Sequence, residues 1–431
     1  VTGELPYIRA YVGFSTPTSG MYFTVGHPTL GQVGTVNQIG PDTVWTEITQ
    51  YVRSWSFRIG ASRGDQPTLR YDAGTCTIVL NDGDRRFDPD NLAGPYVVAG
   101  QTLLMPMVRV RIVATWAGMD YPLYYGLADN WVTDYDGPFW STCTLTATDA
   151  FKVFAAEDRG AVALVGAGDD SGARIGRILD AYGWPAADRV LATGDTTLQS
   201  TTLAENMLAE MLLVQDSEQG SLFMDQQGRV DFQNRRAILT SSRSTTSQAL
   251  FGDDPAGYGI SGELPYLDVA TTTPDETLVN SVDAAVAGGV EQQAVDAVSS
   301  SRYLTKSHTR DDLVMQTDAD ALQWAQSILY QFAQPRRRFS KIMFHRPRPD
   351  VESVMWPLLL GAQFADRITV RARPKGGGSP IEKDCFVRGI EMSGDSVTHD
   401  SAFVLQDADR YSFFVVGDPI LGRVGYNAVA W

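Results

Sequence analysis

The side chains able to do chemistry are dispersed through this chain, and their spacing excludes more than it offers. Four histidines, His27, His308, His345 and His399, never fall two to a helical face or ribbon, which a zinc hydrolase needs. Cys76, Cys143 and Cys385 are an odd set, each inside a run of strand-forming residues, and read as buried free thiols. The 51 acidic residues supply many carboxylate pairs, so counting leaves glycoside hydrolysis open without pointing to any pair. No residue is assigned as catalytic, cofactor-binding or metal-ligating, no cofactor is implied, and the expectation is a protein that is not an enzyme.

The densest acidic stretch runs Asp82-Gly83-Asp84-Arg85-Arg86-Phe87-Asp88-Pro89-Asp90-Asn91. Asp82, Asp84, Asp88 and Asp90 offer hard oxygens to a calcium ion, but Arg86 and Phe87 stand where an EF-hand has Asp or Asn and then Gly. The favoured reading is an Asp-Gly turn followed by an extended piece in which Asp88 and Asp90 take nearby backbone amides. Arg63-Gly64-Asp65, an integrin-type triplet, reads as a plain loop. Gly376-Gly377-Gly378, between Lys375 and Ser379, lacks the order of a phosphate cradle and reads as a strand connection; Gly166-Ala167-Gly168 lacks the third glycine of a dinucleotide fold. One basic cluster remains: Arg336, Arg337, Arg338, Lys341, His345, Arg346 and Arg348. On a chain of net charge −16 its expected use is ion pairing with a neighbouring subunit or partner rather than with DNA.

The elements that would position these groups are mostly strands. From residue 7 to about 148 the hydrophobic period is two: Ile8, Ala10, Val12; Trp55, Phe57, Ile59; Val108, Val110, Ile112; Cys143, Leu145, Ala147. Past Asp149 the period becomes helical, with Ile175, Ile178, Leu179 and Tyr182 after Asp170-Ser171. A second helix is expected behind a capping box at Thr202-Leu203-Ala204-Glu205, with Met207, Leu208, Met211 and Leu212 on its face. A hairpin follows around Asp225-Gln226-Gln227-Gly228. Residues 240–248 are the most linker-like. Beyond them come a strand at 267–269, a hairpin around Gly288-Gly289, a helix from Asp318 to about Ala333, and strands at 367–372 and 385–387.

A chain of 431 residues predicts two to four domains. The divisions read are 1–148, a first β-barrel-like domain; 149–239, a small α+β domain; 240–261, a linker; 262–408, a second β-barrel-like domain with a helical insertion near 318–334; and 409–431, a strand-turn tail. That tail carries an echo: Phe23 to Gly34 returns as Phe414 to Gly425 with eight of twelve residues identical. A shorter echo pairs Gly3-Glu4-Leu5-Pro6-Tyr7 with Gly262-Glu263-Leu264-Pro265-Tyr266. No apolar run reaches the length of a membrane span, and no basic-then-apolar leader opens the chain, so cytoplasmic synthesis is expected.

The run Trp45 to Val52, then Trp55 to Gly60, Asp72 to Asn81 and Arg86-Phe87-Asp88-Pro89, resembles the opening domain of minor tail and tail-hub proteins of long-tailed bacteriophages. The later order of elements is similar to the trimeric hub family. The resemblance implies a mainly β fold with α+β insertions, in which two tail-tube-like antiparallel β-barrel domains alternate with smaller mixed domains. It also implies a structural virion protein, a homotrimer at the distal end of the tail that adapts a sixfold tube to a threefold tip. Its partners would be the tail tube or distal tail protein, the tape measure protein and tail fibre or tip proteins. DNA would pass the lumen without specific binding, and assembly would occur in the host cytoplasm. A distal-tail ring protein, a multi-domain β adhesin and a polysaccharide or cell-wall hydrolase stay open as alternatives.

Overall fold

The computed structural model describes residues 4–14, 44–135, 140–156, 166–201, 206–273 and 275–411. Both copies of the twelve-residue echo and the capping box at 202–205 lie outside them. The period-two segments are strands: β1 (Tyr7–Phe14), β2 (Val44–Glu47), β3 (Val52–Gly60), β4 (Asp72–Asn81), the short pair β5 (Val97–Val98) and β6 (Gln101–Thr102), then β7 (Arg109–Trp116), β8 (Met119–Tyr135) and β9 (Ser141–Thr148). Alternate residues point to opposite faces, so Trp55, Phe57 and Ile59 go to the core while Ser56 and Arg58 face out.

The helical period then takes over. α1 (Phe151–Ala156) is followed by α2 (Ser171–Ala181), whose cap Asp170 accepts from the Ala173 amide at 2.9 Å. After β10 (Arg189–Leu191), α3 (Met207–Glu218) is capped by Asn206 and ends on Gln219 in the left-handed region at φ +57°. The expected hairpin is β11 (Ser221–Met224) and β12 (Val230–Gln233), with Gly228 at φ +84° in its turn. These strands form a small sheet, β10-β12-β11, packed on the helices around Phe151, Phe154, Ile178, Met211 and Phe232.

Residues 240–248 are folded rather than a linker. Ala237–Thr240 (α4) and Ser242–Thr245 (α5) are helical turns, and β13 (Ser247–Gly252) joins the main sheet, because Ser241 caps α5 and Arg243 is tied to Asp366. α6 (Tyr258–Ser261) leads to β14 (Asp268–Thr272). An insertion follows: β15 (Ser281–Val286), β16 (Gln292–Val295), α7 (Ala297–Tyr303), β17 (Ser307–Leu313) and α8 (Asp318–Phe332), the last opened by a Thr317/Asp320 capping box. It has its own core of Val282, Leu313, Trp324, Ile328 and Phe332. The chain returns through β18 (Arg338–Phe344), α9 (Glu352–Leu360), β19 (Arg367–Ala372), β20 (Ile381–Asp395) and β21 (His399–Asp407). α9 has no counterpart in the periodicity above, since Met355-Trp356-Pro357-Leu358-Leu359-Leu360 is apolar all round and interrupted by proline.

The fold is mainly β with mixed α+β units, as expected, but its principal strands run together in one 13-stranded sheet, and among the described residues that sheet does not close into rings. It contains the same arrangement twice. In the first half the order is β1-β7-β8-β9-β4-β3; in the second it is β13-β19-β20-β21-β18-β14, with corresponding strands in the same chain order. The bulges correspond as well: β8 slips against β9 between Ala128 and Asn130, and β20 against β21 between Val387 and Gly389. One pairing differs, because β13 runs parallel to β19 while β1 runs antiparallel to β7. The insertion occupies 273–337, where the first half has only the connection 61–71. The Gly-Glu-Leu-Pro-Tyr echo does not mark this repeat, since its copies lead into β1 and β14, which hold different places in the two halves.

The halves are joined by β3 and β20, antiparallel from Gly60↔Gly389 to Ser54↔Asp395. β20 uses one edge for β21 and divides the other between β19 and β3. A single hydrophobic core underlies both halves, running from Val12, Ile78 and Leu145 to Ile342, Phe403 and Trp356.

Candidate assembly surface

With its apolar residues committed to that core, the sheet presents a broad polar face. One cross-strand row reads Asn130, Thr146, Thr77, Ser56, Ser393 and Asp400, crossing β8, β9, β4, β3, β20 and β21 in continuous register. A neighbouring row holds Thr148, Thr75, Arg58 and Glu391. Threonine is at home on an exposed strand, and these short hydroxyl and amide side chains make the face wettable and low in relief. Long side chains on it are paired: Lys341 with Glu391 at 2.6 Å, and Arg58 with Asp72 at 3.3 Å. His345 lies against Asp400 at one end. A trough of about 560 Å³ runs over Arg58, Thr75, Lys341, Glu391 and Ser393, and a second of about 1040 Å³ continues past Lys341 beneath residues 275–279 and 305–308.

The basic cluster belongs to this region and is largely consumed within the chain. Arg338 is buried against Asp65 at 2.9 Å, Lys341 meets Glu391, His345 meets Asp400, and Arg348 pairs with Asp350 at 3.1 Å. A neighbouring subunit or partner is expected to supply the counter-charges, but for these four residues the chain's own carboxylates supply them. Spacing gave no sign of the first three pairs because Asp65, Glu391 and Asp400 are remote in sequence, whereas Asp350 stands two residues from Arg348.

Arg63-Gly64-Asp65 is no plain loop. Asp65 is buried and accepts from Arg410 at 2.8 Å as well as meeting Arg338, while Arg63 reaches Glu276 at 3.3 Å. Gly64 is pressed so close that a Cβ there would stand 2.2 Å from the Leu405 carbonyl oxygen. A second buried carboxylate, Asp216, joins three parts of the molecule: it takes Arg70 at 2.5 Å from the connection after β3 and Arg310 at 2.8 Å from β17, and its carbonyl accepts from the Trp324 indole of α8 at 2.8 Å. Sequence reading missed Asp216, which looks like any acidic residue on a helix.

The acidic stretch folds as a turn with internal bonds. Asp82 accepts from the Phe87 amide at 2.8 Å and Asp88 from the Asp90 amide at 3.0 Å; Asp88 also takes Arg85 and the Tyr135 hydroxyl, and Asp84 pairs with Arg86. The second amide-binding carboxylate is therefore Asp82 instead of Asp90. Among the described residues no group of three or more His, Cys, Asp or Glu side chains gathers as a metal site. All three cysteines are buried free thiols; burial pushes Cys76 and Cys385 well up and Cys143 up to about 12. His399 is sandwiched edge-on by Trp55 and Trp356, and burial lowers it to about 4. His308 stacks on Trp324, so the histidines at 308, 345 and 399 sit in three separate environments, and His27 lies outside the described residues. Among the described residues no helix is long and apolar enough to cross a membrane.

Two solved structures share this architecture over nearly the whole chain. A tail protein from Neisseria meningitidis MC58 superposes with a TM-score of 0.56 at 10% identity, covering 93% of this chain and 96% of its own. The 43 kDa tail protein of prophage MuSo2 from Shewanella oneidensis gives 0.52 at 8% identity, with 94% and 98% covered. No family model matches the sequence, and no curated protein matches it. At such identities the likeness is one of fold, and the chain has the fold of those two tail proteins.

Proposed function

We propose that this chain is a structural protein of a phage tail, the hub at its distal end, working as a homotrimer that adapts a sixfold tube to a threefold tip. The observation that carries the reading is the twofold repetition of one six-stranded arrangement within a single sheet, in a chain that shares its fold with two tail proteins from end to end. Three such chains supply six equivalent arcs. The hydroxyl-rich face would line the channel, where short neutral side chains and a net charge of −16 give DNA little to hold. The role needs no catalytic group. Its partners would be the tail tube or distal tail protein, the tape measure protein and the fibre or tip proteins, met during assembly in the host cytoplasm.

Native mass measurement, followed by a density map of the particle, tests this. A trimer placed between tube and tip supports the hub, a hexamer supports a distal-tail ring, and release of sugar or peptidoglycan fragments that one Asp or Glu substitution abolishes would overturn the structural role.

A further inference from the structure

The repeated half-sheets leave one edge filled in the second half and open in the first. β20 pairs with β19 along residues 381–386 and with β3 along 389–395, both on the edge opposite β21. Its counterpart β8 pairs with β7 along 119–127, on the edge opposite β9, and residues 130–135 continue that edge with no strand paired to it among the described residues. At the far end of the sheet, β14 is the counterpart of β3. It pairs with β18 on one edge, and among the described residues no strand pairs with the other. Among the described residues a missing β3-like strand and a spare β3-like strand thus stand in different halves of one sheet.

We propose that β14 of one copy of this chain pairs with the 130–135 edge of β8 in a second copy, repeating between copies the junction that β3 and β20 make within one. This deepens the ring reading above and rests on it. The bulges fix the register: Asn130 corresponds to Gly389, and matching β14-β18 to β3-β4 sets Ala270 in the place of Ser56. Ser56 faces Ser393, whose counterpart is Asp134. The ladder between copies therefore sets Tyr135 opposite Val269, Asp134 opposite Ala270, Thr133 opposite Thr271 and Val132 opposite Thr272.

The side chains suit that ladder. Val132 and Tyr135 are large apolar side chains left 49% and 54% exposed beside the exposed Asn130 and Asp134, and the pairing gives each a further cross-strand neighbour. No charge opposes a like charge across the four pairs. An edge with unpaired amides is an invitation to strand addition, and one that receives a specific strand is protected from unspecific ones. Because the donor and acceptor edges are different surfaces, the contact is head-to-tail and closes into a ring when its rotation divides a full turn.

Disulfide trapping in the full chain tests the register. Within one copy Asp134 and Ala270 lie on strands at remote places in the sheet order, so a bond between them must link two copies. The double variant Asp134→Cys/Ala270→Cys should give covalent oligomers on mild oxidation, while each single variant and the slipped pair Thr133→Cys/Ala270→Cys should not, since neighbouring residues of a strand face opposite ways. Independently of the cysteines, Val132→Lys should weaken association at least tenfold, and adding Thr272→Glu should restore it. Oligomers by native mass that neither cross-link at 134/270 nor respond to Val132→Lys overturn the pairing and leave the ring reading standing. A chain monomeric at every concentration and never cross-linked overturns the pairing and also counts against the ring.

Discussion

Asp65 and Arg338 meet at 2.9 Å with both side chains withdrawn from solvent, although one follows β3 and the other opens β18. Arg410 donates to the second carboxylate oxygen at 2.8 Å and lies 4.1 Å over the Phe332 ring, so one buried anion holds two buried cations. Breaking such a group from the anion side leaves both guanidinium ions uncompensated. Asp65→Asn is expected to cost about 3–5 kcal/mol, read as a lower denaturant midpoint. A loss below about 1 kcal/mol would mean the arginines find water once released.

Asp149 gives the molecule a stability that declines as pH rises from acid to neutral. Its carboxylate accepts from the Gly74 amide at 2.6 Å and the Phe151 amide at 2.9 Å, yet burial raises it to about 7. The folded state then binds a proton between pH about 4 and about 7 that the unfolded chain has released, so this group's contribution falls as pH rises through that window. The slope is at most about 1.4 kcal/mol per pH unit. Unfolding measured from pH 4.5 to 7.5 should show it, and Asp149→Asn should flatten it.

Glu263 acts in the opposite sense. Arg373 and then Arg371 hold its carboxyl down at about 2, so its stabilisation is complete above the ordinary glutamate range and is lost as pH falls from about 4 to about 2. Glu263→Gln should lower stability at pH 7 and make the acid transition shallower. An unchanged acid limb would assign that transition to other carboxylates.

The thiols should be silent in the native protein. With Cys76, Cys143 and Cys385 buried and their thiols held protonated, a chromogenic thiol reagent at pH 8 should label none before unfolding and all three after. Fast labelling of any one would place it in a region that opens locally.

Gly60 sits where the halves join. Its φ is +89°, and a Cβ there would come within 2.5 Å of the Arg388 carbonyl oxygen. Gly60→Ala should therefore destabilise by more than about 1 kcal/mol, and Gly376→Ala, in open space on a hairpin, should not.

Alternation made the strands legible: Trp55, Phe57 and Ile59, or Cys143, Leu145 and Ala147, can bury themselves only with polar neighbours facing out. α2 was legible through Asp170 and its apolar stripe, and α8 through its stripe of Ala321, Ala325, Ile328 and Phe332, while the Thr317/Asp320 box that opens α8 went unread. α9 was not, because Trp356 and Leu359 lie in a segment with no polar face to set a period, and β13 was hidden in a serine-rich stretch that Arg243 anchors to Asp366. The assembly surface was the least legible part. Thr77 and Ser56 are ordinary strand residues until register places them beside Thr146 and Ser393, and register across halves is a long-range property.

That long range sets a schedule for the nascent chain. Gly60 emerges from the ribosome roughly 330 residues before Gly389, its partner, which at ordinary elongation rates is on the order of 20 to 60 s. Throughout that interval β3, with Trp55 and Phe57 on one side, has β4 beside it while β20, its partner on the other edge, is still to be made. The waiting strand is open to the same strand of a neighbouring nascent chain on the same message, so slowing elongation past residue 60, or crowding ribosomes, should divert product into aggregates before the second half is made.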